Sequence, residues 1–190
     1  MRISLPEPRR QGGMPLMEAL ACRKSIRAFQ TGAELDSQTL SDLLWAAFGA
    51  SRPGRRTAPS SHNKQETSLY VCKSDGVWLY LPLENALEQI SDKDVRGLTG
   101  TQEFVADAAL NIALVADKSL ITHKTGVGVT QTIFVDSGFI SQNIYLYCAS
   151  AGLGCVARAL FEPEKVAAAL GLGPEQETTL ICSVGPLAPR

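Results

Sequence analysis

Arg23-Lys24-Ser25-Ile26-Arg27 places three cations and a hydroxyl within five residues. That set suits an anionic, planar ligand: guanidinium forks grip phosphate, and the hydroxyl supplies a neutral donor. A basic helix end complementing the helix dipole, or plain solvated surface, would look the same in isolation. Two later segments add weight. Ala58-Pro59-Ser60-Ser61-His62-Asn63-Lys64-Gln65 joins small residues, which let a main chain approach a flat ligand, to Asn63, which can donate and accept. An Asx or Ser turn is the plainer account of it, and a lone loop histidine such as His62 is more often exposed than catalytic. The third segment runs from Gly152-Leu153-Gly154-Cys155 to Leu160. A helix cap explains Gly152 without any ligand. Arg158 is unusual inside a strand and faces either substrate or solvent.

The elements around these segments are readable in outline. Residues 1–13 read as an extended N-terminal arm, and 14–190 as a single domain that starts with a short helix from Met14 to Cys22. Asp36 is a good N-cap for a second helix with Leu40, Leu43, Leu44 and Ala47 on one face. Ser51 to Lys64 reads as irregular, and loops of that length are often functional. Ser68 to Cys72 and Val77 to Leu81 read as strands joined by an Asp75-Gly76 turn, with Ala86 to Arg96 helical after them. Glu103 to Ala108 is a short helical turn, Leu110 to Val115 a central strand and Lys118 to Thr130 a mobile loop. Ile133 to Ala151 is a long helix, apolar nearly all round, closed by Gly152. A strand (Cys155 to Leu160), a proline-started helix (Pro163 to Leu170) and a last strand (Thr178 to Val184) complete an α+β pattern.

Composition narrows the function classes. A net charge of −1 argues against a nucleic-acid binder, although basic residues cluster at 23–27 and 52–56. No apolar run approaches a membrane span, so no membrane partner is expected. The five cysteines lack C-x-x-C spacing, and four sit in apolar stretches, which fits reduced thiols and a cytoplasmic setting. Only His62 and His123 could join them at a metal, and neither forms a ligand pattern.

In their order the three segments resemble the nitroreductase family, which carries R-x-S-x-R/K, then P-S-[SA]-x-N-x-Q, then G-L-G after a long central helix. The resemblance covers roughly 14–185. It implies a central, mainly antiparallel sheet flanked by helices, an intertwined homodimer, and flavin mononucleotide (FMN) in the dimer interface. It also implies NADH or NADPH as electron donor, and a nitroaromatic, quinone or similar small molecule as acceptor. A flavin dehydrogenase acting on a thiazoline or oxazoline ring, or a non-catalytic flavin-binding protein, is the alternative. By resemblance Arg23 and Ser25 hold the FMN phosphate, Lys24 lies along the ribityl chain, and Arg27 approaches the pyrimidine edge. Pro59, Ser60, Ser61 and Asn63 serve the flavin of the neighbouring subunit. The backbone of Ala157, Ala159 and Leu160 lies beside the ring, and Arg190 reaches for the phosphate. No catalytic side chain is implied, because the flavin carries the chemistry. The family often continues Q-P-W/Y-x-F after the asparagine, whereas Gln65 is followed here by Glu66-Thr67-Ser68.

Overall fold

In the computed structural model of the chain, residues 1–122 and 126–189 are described. Seven strands form one sheet in which every neighbouring pair is antiparallel. They are β1 (Arg2–Ser4), β4 (Thr67–Lys73), β5 (Gly76–Leu81), β6 (Ala86–Ser91), β7 (Leu110–Asp117), β8 (Gly154–Arg158) and β9 (Gln176–Gly185), in the spatial order β1-β6-β5-β4-β7-β9-β8. The helices are α1 (Leu16–Cys22), α2 (Ser37–Phe48), α3 (Val129–Ala151) and α4 (Pro163–Leu170). The expected α+β sheet flanked by helices is therefore present.

Side-chain alternation along the central strands decides which helix covers which face. Leu110, Ile112 and Leu114 of β7 join Leu69 and Val71 of β4 against Leu43, Leu44, Ile140 and Ile144 of α2 and α3. The intervening Ala113 and Val115, with Tyr70 and Cys72, pack instead on Val166 and Leu170 of α4. Helix ends follow their capping chemistry. Asp36 accepts the Thr39 N–H at 2.9 Å to open α2, and Gly152, at φ +69°, closes α3 in the left-handed conformation.

Several expectations need correction. Ala86 to Arg96 is not helical: Ala86–Ser91 is β6, between β5 and β1. Its Ala, Leu, Glu and Gln favour a helix locally, but two antiparallel partners outweigh a propensity worth only tenths of a kcal/mol per residue, of order ~0.5. The turn that sends the chain back is made by Asn85 at φ +46°, whose amide donates to Pro6 O at 2.7 Å. The N-terminal arm is thus partly a strand, and Arg2 reaches Glu88 across the β1–β6 pair. The irregular stretch after residue 50 contains a small hairpin, β2 (Ala50–Arg52) with β3 (Arg55–Arg56), followed by a 3-10 turn over Ser61–Asn63. In the expected loop at 118–130, Lys118–Leu120 is a 3-10 turn and α3 already begins at Val129. His123, in the same stretch, lies outside the described residues.

Arg158 does not face solvent. It is buried, with Nη1 donating to Thr99 O, Nη2 to Thr99 Oγ1 (2.9 Å) and Asn111 Oδ1 (3.0 Å), and Nε to Ser183 Oγ (3.1 Å). Neutral dipoles from three elements satisfy the cation and knit β8 to β7, β9 and the 96–99 turn. Arg158→Ala would leave the Thr99 carbonyl buried without this donor, and Asn111 Oδ1 with Ser183 Oγ alone. A loss of about 2–4 kcal/mol in urea unfolding is expected. Unchanged stability would contradict a structural role for this side chain.

Candidate functional site

The basic segment and the strand after Gly152 come from distant parts of the chain, and the structure joins them. Ile26 N–H donates to Cys155 O at 2.8 Å. Tyr145 on α3 adds a second tie: its hydroxyl accepts the Ala157 N–H at 2.8 Å and lies 2.8 Å from Ser25 Oγ. Since Ala157 is the donor in one bond, the single phenolic hydrogen is free to go to Ser25. Arg23 stacks its guanidinium 5.2 Å from the centroid of the same ring. Sequence reasoning passed over Tyr145, because a tyrosine in an apolar helix gives no sign of which strand it meets.

Around this junction Lys24, Ser25 and Arg27 are exposed and Arg23 is half-buried. None of the three cations forms an ion pair among the described residues. Such a donor set, with no internal counter-charge, fits a phosphate-bearing group. Of the backbone positions expected beside a ring, Ala157 already has its N–H bound to Tyr145, while Ala159 and Leu160 are exposed. Arg190 lies outside the described residues. Cys155 is no exposed nucleophile: it is buried beside Cys148 and Cys182, and hydrogen bonding to Cys148, with burial behind it, raises its pKa well above the usual thiol value.

The Pro59–Asn63 segment is not brought to this junction within the chain. It lies against α3 at Asp136, nine residues before Tyr145 and so about 13 Å away along the helix axis. Ser61 N–H donates to Asp136 Oδ2 at 2.7 Å. A cavity of about 420 Å³ opens there, bounded by Ser60, Ser61, Asp136, Val135 and Phe139. The loop is strained: His62, Asn63 and Gln65, none of them glycine, have φ of +50°, +55° and +52°. Conformations of this kind cost about 1–3 kcal/mol each and persist only when surrounding contacts enforce them. Here Asn63 Nδ2 and Gln65 Nε2 both donate to Gly54 O, at 3.0 and 2.9 Å, and Gln65 N–H donates to Ser60 Oγ at 2.8 Å. The Asn63 amide is therefore largely engaged within the loop, with one N–H left for a ligand.

Glu66, where the chain departs from the Q-P-W/Y pattern, is 1% exposed and hydrogen-bonded to Asp136. Its Oε2 finds no donor among the described groups, and a neutral carboxyl at Glu66 can donate a hydrogen bond to Asp136 where an ionised one cannot. Two carboxyl groups this close and this dry cannot both ionise cheaply. Burial first, then repulsion by Asp136, raises the Glu66 pKa above the ordinary carboxyl range.

Comparison with known proteins says to which class such a sheet, cationic edge and strained loop belong. The model of the Nitroreductase family matches residues 20–186, and the chain belongs to that family. A nitroreductase homologue of Methanocaldococcus jannaschii is 27% identical over 177 residues, 87% of each chain. The crystal structure of a nitroreductase homologue from Ralstonia eutropha is 37% identical with a TM-score of 0.93, covering 100% of this chain and 90% of that one. An NAD(P)H:FMN oxidoreductase homologue from Staphylococcus epidermidis shares the fold at 14% identity (TM-score 0.70; 96% of this chain, 92% of that one).

The stability provided by neutral Glu66 is complete below the ordinary carboxyl pKa and is lost as pH rises through the raised folded value. Glu66→Gln keeps the shape and abolishes the titration. Its stability relative to the native chain should be near parity at pH 4 and climb in its favour toward pH 8, as followed by urea midpoints. A difference independent of pH would show that Glu66 is not held neutral.

Proposed function

We propose that the chain is an FMN-dependent oxidoreductase that works as a homodimer, taking electrons from NADH or NADPH and delivering them to a nitroaromatic, quinone or similar small acceptor. The observation that carries this reading is the convergence of Arg23, Lys24, Ser25 and Arg27 on β8 through Tyr145 and the Ile26–Cys155 bond. Bound there, FMN supplies the two-electron exchange between donor and acceptor.

The residues divide the remaining tasks. Arg23, pre-oriented on the Tyr145 ring, and Ser25 hold the phosphate; Lys24 lies along the ribityl chain. Arg27 offers a cation at the pyrimidine edge, where reduction places negative charge. Ala159 and Leu160 present exposed backbone beside the ring. Pro59, Ser60, Ser61 and Asn63 meet α3 at Asp136, about two and a half turns before Tyr145 and so on the opposite face of the helix, which supports their acting on the flavin of a second copy. Val135 and Phe139 of α3 are 54% and 47% exposed, and Leu16 and Met17 of α1 are 64% and 76% exposed. Apolar side chains left uncovered on two adjoining helices support burial against that copy.

Anaerobic mixing of FMN-loaded protein with NADH or NADPH should bleach the flavin, and a quinone or nitroaromatic should restore it. Bleaching by neither donor would overturn the reading. Arg23→Ala should weaken FMN by about ten- to a hundredfold, the equivalent of one charge-assisted hydrogen bond of about 1.5–3 kcal/mol. Equal affinity at matched ionic strength would remove Arg23 from the phosphate site.

A further inference from the structure

The basic cluster at 52–56 is left without a task by the flavin reading. Its hairpin turns at Gly54, φ +66°, and is clamped to the Pro59–Asn63 loop by the two amide donors on Gly54 O. Ser51 Oγ adds a bond to Arg56 O at 3.0 Å. Hairpin and loop are thus tied into one frame. Between them lies a cleft of about 580 Å³ bounded by Arg52, Arg55, Arg56, Ser60, His62 and Asn63. No carboxylate lines it, and none of the three guanidiniums forms an ion pair among the described residues.

Arg56 sharpens the point. Its Nε and Nη1 are buried without an acceptor, which leaves Nη2 as the end that can meet the cleft, and burial lowers its pKa. The Phe48 ring, 5.8 Å from the guanidinium, offsets only part of the cost of a desolvated cation. Three mutually repelling cations on a clamped frame are stabilised by an anion and by little else on this surface.

We propose that the hairpin cleft is a binding site for organic phosphate and takes the phosphates of the dinucleotide electron donor. This rests on the reading of the chain as an NAD(P)H oxidoreductase. The acceptors in that reading are uncharged rings, whereas the donor carries a pyrophosphate. The cleft shares Pro59, Ser60 and His62 with the cavity beside Asp136, so a donor anchored here by its phosphates lies next to the loop assigned to the flavin. The 2′-phosphate of NADPH brings about 1.5–2 further negative charges, so three guanidiniums favour NADPH over NADH.

Calorimetric titration of the FMN-saturated protein with inorganic pyrophosphate at low salt tests the site itself. The native chain should bind, and Arg55→Ala/Arg56→Ala should weaken binding by about tenfold or more. Arg52→Ala/Arg55→Ala changes only exposed side chains, so it keeps the comparison open if loss of Arg56 disturbs the fold. No binding by the native chain, or equal binding by both variants, overturns the proposal. So does loss of FMN in place of loss of pyrophosphate, since the arginines would then belong to the flavin.

Anaerobic flavin reduction then identifies the source of the phosphate. Both variants should need more NADPH for half-maximal rate, less so for NADH, and be unchanged with uncharged 1-benzyl-1,4-dihydronicotinamide. If NADPH kinetics are unchanged and a preference for 4-nitrobenzoate over nitrobenzene is lost instead, the assignment to the donor is overturned. If none of the three dihydronicotinamides reduces the native flavin, the oxidoreductase reading fails and the donor assignment with it. The pyrophosphate titration still decides whether the cleft takes phosphate.

Discussion

A single hydroxyl, Tyr145 Oη, accepts the amide of Ala157 and meets Ser25 Oγ, both at 2.8 Å. Through it the long helix α3, the edge strand β8 and the N-terminal basic segment share one junction. Everything proposed for the cofactor depends on that geometry. Without it the cations of residues 23–27 would hang from the end of a seven-residue helix, too short to hold its own shape in water. With it, Arg23 is stacked on a ring and Ile26 is bonded to the sheet, so the donors are positioned before any ligand arrives. Such pre-organisation lowers the entropy cost of binding.

Three ionisable side chains with buried polar atoms show three ways of living with desolvation. Arg158 keeps its charge and surrounds it with the neutral oxygens of Thr99, Asn111 and Ser183. Glu66, buried beside Asp136, is pushed toward its neutral form, which needs no counter-charge. Arg56 does neither, having two buried nitrogens with no acceptor. The first two solutions are internal and complete, which marks those residues as architectural. The third is incomplete within the chain.

Much of this was legible in the sequence, for definite reasons. Asp36, Asp75-Gly76, Gly152 and Pro163 are signals whose meaning is local, and each sits where its chemistry predicts. The central strand at 110–117 could be read because an apolar run between turns has few other fates. β6 could not, since its residues prefer a helix and its partners lie elsewhere in the chain, one of them in the N-terminal arm. Tyr145 and the partners of Arg158 were hidden likewise, because strand register, not residue type, chooses what they meet. Asp136 did leave a trace, as a lone acid in an apolar helix, and Glu66 stood out as a departure from the resembled pattern. Neither trace says that the two carboxyls touch.

The central claim is a flavin held at the Tyr145 junction of one chain and completed by the Pro59–Asn63 loop of another. Gel filtration with in-line light scattering and visible absorbance, after saturation with FMN and removal of the excess, tests both halves in one run. The account predicts a yellow particle of twice the chain mass carrying one FMN per chain. A colourless particle, or a yellow particle of single-chain mass that retains full FMN, would contradict it.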